Sequence, residues 1–179
     1  MLDRKNTALV IVDVQGKLAT LMYKQERMHN ALVKMVRGAR ILGLPVFWLE
    51  QLPEKLGKTT PRLAEELKGI DPLAKSSFSG CGQSEFVSAL KGSGCNQVLL
   101  AGIEAHICVY QTALDLTASG YEVEVIVDAS SSRSKYDKRL ALDKLARKGV
   151  ELTSVEMALF ELMTTAECEE FREIAKLVK

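Results

Sequence analysis

The stretch VLLAGIEAHICVY, residues 98–110, joins a buried apolar run to a helical one through a polar turn. Val98, Leu99, Leu100 and Ala101 form a continuous apolar run, the signature of a strand covered on both faces. Gly102 breaks it, and Glu104, His106 and Cys108 follow within six residues. Apolar spacing then resumes with helical period over residues 106–119 and stops at Gly120. A buried strand that runs through a short polar turn into a helix is the repeating unit of a parallel α/β sheet.

Working outward, the same unit recurs. TALVIVDV (7–14) and VFWLE (46–50) read as buried strands, and YEVEVIVDA (121–129) and VELTS (150–154) as two more. LAKSSFSG (73–80) fits a short strand that runs into a loop. Helical spacing appears over residues 26–42, 61–68, 83–92 and 135–149, and again at 155–162 and 166–177. Residues 51–61, QLPEKLGKTTP, read as a loop because of two prolines and a glycine. The expectation is one α/β domain over residues 1–179, three layers deep, with a doubly wound parallel sheet.

Composition narrows the function classes. The chain has 179 residues, 47% apolar and 26% charged, with a net charge of +1. Basic and acidic residues are interspersed, so no clustered basic face points to nucleic acid or an anionic membrane. KYDKR (135–139) and ECEEFRE (167–173) read as solvated helix faces. No run approaches the roughly 18 apolar residues of a membrane span. The N-terminal apolar run is short and ends in Asp13, unlike a signal peptide, so a cytoplasmic location is expected. Cys81, Cys95, Cys108 and Cys168 form no CxxC pair and no zinc spacing. They are expected to be free thiols.

In open α/β sheets, sites gather beyond the carboxyl ends of the strands. Asp13 and Gln15 follow the first strand, and Glu50 and Gln51 end the second. Lys75 and a serine-rich loop follow the third. The GIEAHIC turn follows the fourth, and Asp128, Ser130 to Ser132 and Arg133 stand at the end of the fifth. A thiol, a carboxylate and an ammonium on one rim can perform acyl transfer. Cys108 lies in the first helical turn, where free backbone N–H groups and Lys75 would lower its pKa. Asp13 would be the base, and His106, two residues from Cys108, is placed on the pocket rim.

VIVDVQ (10–15), LAKSSFSG (73–80) and LLAGIEAHICVYQTALDLTASGYEVEVIVDASSSR (99–133) resemble the three signature segments of the isochorismatase-like cysteine hydrolases. EQLPEKLGKTTP (50–61) places the resemblance with the isochorismatase domain-containing proteins rather than the nicotinamidases. It runs over about residues 5–165. The resemblance implies a catalytic triad of Asp13, Lys75 and Cys108, and a six-stranded sheet in the order 3-2-1-4-5-6. It further implies a cis peptide at Ile103–Glu104 and an oxyanion hole from the backbone N–H groups of Glu104 and Cys108.

The departures from that pattern carry expectations too. The Asp-x-His metal motif of the nicotinamide hydrolases is missing from WLEQLPEKLG (48–57), so neither a metal nor another cofactor is expected. Gln15 is followed by Gly16, Lys17 and Leu18, and Ala105 and His106 stand where many members have a threonine. Gln15, Tyr23, Trp48, Leu52, Phe78 and His106 are the candidate pocket wall. The expected partner is a small-molecule substrate, cleaved at an amide or related C–N bond. A homo-oligomer is also expected, with Met157, Leu159, Phe160, Leu162 and Met163 as a candidate interface. The alternatives are an idle interaction module on the same fold and a thiol redox sensor at Cys108.

Overall fold

A computed structural model describes residues 1–179. Six strands form one parallel sheet: β1 (Thr7–Val12), β2 (Val46–Gln51), β3 (Leu73–Lys75), β4 (Gln97–Ile103), β5 (Glu122–Ser131) and β6 (Glu151–Thr153). Their spatial order is β3-β2-β1-β4-β5-β6, as the family resemblance implied. The helices are α1 (Gly16–Thr20), α2 (Gln25–Ile41), α3 (Pro53–Leu56), α4 (Pro61–Glu66), α5 (Ser84–Gly92), α6 (Tyr110–Ala118), α7 (Lys135–Arg147), α8 (Val155–Met163) and α9 (Phe171–Val178).

Side chains alternate across a strand, so each apolar strand feeds two cores. Leu9 and Ile11 of β1 face the layer of α2, α8 and α9, beside Leu99, Ala101 and Ile103 of β4. Ala8, Val10 and Val12 face the layer of α5, α6 and α7, beside Val98 and Leu100. Both faces are buried, which is why these strands read as unbroken apolar runs.

The sequence pattern missed short elements. One-turn helices α1 and α3 occupy stretches without helical apolar spacing. In α3 the turn is set by Pro53, whose fixed φ suits a first helical position. The last helix begins at Phe171, not at 166. The expected helix 106–119 opens with a π-helical turn at Ala105–Val109 before α6. Of the expected interface residues, Leu159, Leu162 and Met163 are buried in the molecule's own core, and only Met157 and Phe160 are exposed.

Gly102 sits at φ +129°, where an added Cβ would lie 2.1 Å from the Val12 carbonyl oxygen. Only glycine lets β4 run this close to β1. That approach sets the two strand ends side by side at the point where strand order reverses. Ligands of doubly wound sheets bind in that crevice. No helix is long and apolar enough to cross a membrane.

Candidate active site

Five strand ends meet at the crevice. Asp13 follows β1 at φ +54°, a conformation that costs a non-glycine residue about 1–3 kcal/mol. Lys75 closes β3, in register with Gln51 at the end of β2. The Lys75 side chain is fully buried. Its Nζ donates to Asp13 Oδ2 at 2.7 Å and Gln51 Oε1 at 2.7 Å. It also donates to the carbonyls of Ser77 at 3.1 Å and Phe78 at 3.2 Å. A buried ammonium needs such saturation, because an unpaired charge is costly away from water.

Cys108 is buried in the π-helical turn beyond β4. Its thiol lies against Asp13, with the Glu104 backbone close by. The other Asp13 oxygen, Oδ1, is buried and has no hydrogen-bond partner fixed by the fold. The Ile103–Glu104 peptide is cis. The Glu104 carboxylate accepts the Arg133 backbone N–H at 3.1 Å and its Nε at 3.0 Å. Asp13, Lys75, Glu104 and Cys108, read from three separate segments, are thus brought together.

The electrostatics differ from the sequence expectation. Burial, then the adjacent Asp13 charge, push the Cys108 thiol up to about 12, against a smaller downward pull from Lys75. Burial also raises the Asp13 carboxyl above its ordinary value, opposed by the Lys75 charge and hydrogen bond. Burial therefore favours the neutral thiol over a free thiolate beside Asp13. Proximity of a cation was visible in the sequence; desolvation, the larger effect, was not.

The expected pocket wall divides. Gln15 is not on it: the side chain is fully buried. Its Nε2 donates to the carbonyls of Gln51 at 3.0 Å and Gly57 at 2.6 Å, and its Oε1 accepts the Gln51 N–H at 2.6 Å. It ties the β1 end to the β2 end. Trp48 is not on it either, because strand alternation turns its ring into the α2 core. Tyr23 lines a separate cavity beside β5. His106 is half-buried, with Nδ1 held 2.9 Å from Ser132 Oγ. Phe78 is 57% exposed on the loop whose carbonyls receive Lys75. Leu52, at φ +38°, borders a cleft of about 460 Å³ that reaches Lys75 but is lined by neither Asp13 nor Cys108.

Gln51 and Arg133 stand among the strand-end residues named from sequence, but no role was read for either. Gln51 braces Lys75, and its position at a strand end was the available signal. Arg133 pairs with Glu104 across 29 residues, a relationship no local pattern encodes. Where nicotinamide hydrolases carry metal ligands, Glu50 accepts the Thr59 N–H at 2.6 Å and hydroxyl at 2.7 Å. His29 is likewise engaged, by the Gln25 carbonyl and the Thr60 hydroxyl. Those residues do not fit a metal. All four cysteines are free, and Cys168 packs against the opposite core from Cys108.

Comparison with known proteins agrees with this architecture. Isochorismatase domain-containing protein 2 of Danio rerio is 38% identical over 178 residues, covering 99% of this chain and 89% of that one. The Homo sapiens protein of the same name is 37% identical over 179 residues, covering 97% and 83%. A solved structure described as MAR1 ribonuclease from Caenorhabditis elegans superposes with a TM-score of 0.93 at 35% identity, covering 99% of this chain and 91% of that one. The isochorismatase domain model matches residues 7–157, and on these grounds the chain belongs to the isochorismatase family.

Proposed function

We propose that the chain is a cysteine-dependent hydrolase that cleaves a small amide or related C–N bond through a thioester on Cys108. One observation carries the reading: the Asp13 carboxyl lies against the Cys108 thiol, with Oδ2 held by Lys75 and Oδ1 buried without a fixed partner. A carboxylate so placed can take the thiol proton and hand it on to the substrate.

The chemistry follows from that pair. Sγ attacks the substrate carbonyl carbon as its proton passes to Asp13, so no free thiolate has to form at a pKa of about 12. The backbone N–H groups of Glu104 and Cys108 hold the oxyanion. Collapse breaks the C–N bond, and Asp13 returns the proton to the leaving nitrogen. Water then attacks the thioester, gives its proton to Asp13, and releases the acid; the proton returns to sulfur. Lys75 keeps Asp13 oriented throughout. His106, Phe78 and Leu52 shape the rim, and self-association through Met157 and Phe160 belongs to the same reading.

The test is intact-mass analysis after exposure to a panel of primary amides and N-carbamoyl compounds. An acyl adduct on Cys108, absent from Cys108→Ala and slowed at least a hundredfold in Asp13→Asn, supports the reading. An adduct that forms equally in Asp13→Asn contradicts it. A second reading, cleavage of RNA, is favoured by the likeness to the Caenorhabditis elegans protein. RNA cut by the wild type and left whole by Cys108→Ala would replace the amide by a phosphodiester.

A further inference from the structure

β6 pairs with β5 only over Glu124–Ile126, so the edge of β5 beyond that point has no neighbouring strand. The N-terminal turns of α2 and α7 flank that open edge and enclose a cavity of about 310 Å³. Lys24 and Arg27 enter it from the α2 side and Lys138 from α7, with Asp128 of β5 at its base. None of the three cations has an ion-pair partner or a side-chain hydrogen bond; Lys24 rests 5.6 Å from the centre of the Tyr23 ring. Asp128, the only carboxylate in the lining, spends Oδ1 on the Val155 N–H at 3.0 Å, at the start of α8. Two positive charges are left unbalanced in a partly enclosed space.

A second basic groove is a useful contrast. It is larger, between α2, α4 and α9, but most of its cations are spent, Lys176 excepted. Arg37 holds Glu66 through two bonds, Arg40 caps the carbonyls of Glu66 and Lys68, and Lys34 caps that of Val178. The α2–α7 cavity leaves its cations free. Burial lowers the Lys138 pKa, the Asp128 charge opposes it, and Arg27 and Lys24 add smaller downward pushes. A like-charged cluster under its own repulsion is relieved by an anion.

We infer that the cavity bounded by Lys24, Arg27 and Lys138 binds a compact dianion, the phosphate group of a free phosphate or a phosphomonoester. This site shares no residue with Asp13, Lys75 or Cys108, so it stands whether or not the hydrolase reading does. Arg27 would engage the planar oxygen pair of the anion, and the two lysines would act as point charges.

The test uses inorganic phosphate and glycerol phosphate, titrated calorimetrically at fixed ionic strength. Lys138 acetylation is followed in parallel by peptide mass analysis. The expected result is saturable binding that slows Lys138 acetylation at least fivefold, with no effect of chloride. Affinity should fall at least tenfold in both Arg27→Gln and Lys138→Met, and stay unchanged in Arg40→Gln. Tighter binding of the ester would identify a phosphorylated metabolite, and equal binding free phosphate. Protection by chloride equal to that by phosphate, or unchanged affinity in Arg27→Gln and Lys138→Met, would overturn the inference.

Discussion

Lys75 Nζ lies 2.7 Å from Asp13 Oδ2, in a pair whose members stand 62 residues apart and are both withdrawn from solvent. This contact joins the ends of β1 and β3 across the intervening end of β2, where Gln51 takes a further Lys75 bond. Removing the ammonium leaves a buried carboxylate without its cation. Lys75→Met should therefore cost about 3–5 kcal/mol of stability, read as a lowered urea midpoint at unchanged slope. A variant as stable as the wild type would show that the pair is not held as described.

Gly102 offers a backbone test. Its φ of +129° and the 2.1 Å approach of an added Cβ to the Val12 carbonyl leave no room for alanine. Gly120, at φ +90°, has nothing within 4 Å of that position. Gly102→Ala should cost more than about 2 kcal/mol, by steric overlap added to backbone strain. Gly120→Ala should cost only about 1–2 kcal/mol, the strain alone. Equal losses in thermal or urea unfolding would contradict the close β1–β4 approach.

Gln15 separates a structural from a pocket role. Gln15→Leu removes the acceptor of the Gln51 N–H and two bonds to carbonyls. A buried donor left unpaired costs about 1–3 kcal/mol, so the urea midpoint should fall. Hydrogen exchange at Gln51 should quicken. An unchanged midpoint would return Gln15 to the pocket wall.

The fold was legible because both faces of β1 and β4 are buried and their apolar runs are unbroken. Asp13, Lys75 and Cys108 were legible as strand-end residues of the right chemistry once the family resemblance ordered them. The errors have separate causes. Trp48 and Gln15 were misplaced because sequence gives the end of a strand but not which face a side chain takes or what backbone group it meets. The thiol pKa was misjudged because desolvation depends on everything packed around Cys108. Short α1 and α3 carry no apolar period, since neither covers a core face by itself.

In the proposed mechanism Asp13 and Cys108 act as one proton-sharing pair. The direct measurement is the rate of Cys108 alkylation by iodoacetamide against pH, with Cys81, Cys95 and Cys168 replaced by alanine. Burial raises the Asp13 carboxyl above the ordinary aspartate value. The rate should thus climb as Asp13 ionises above that value, reach a neutral plateau through proton transfer to Asp13, and rise again only toward about 12. Asp13→Asn, which suits φ +54° because asparagine tolerates left-handed backbone, should abolish the plateau. It should also bring the alkaline limb to lower pH, because the Asp13 charge raises the thiol pKa. A single thiolate titration, identical in wild type and Asp13→Asn, would contradict the account.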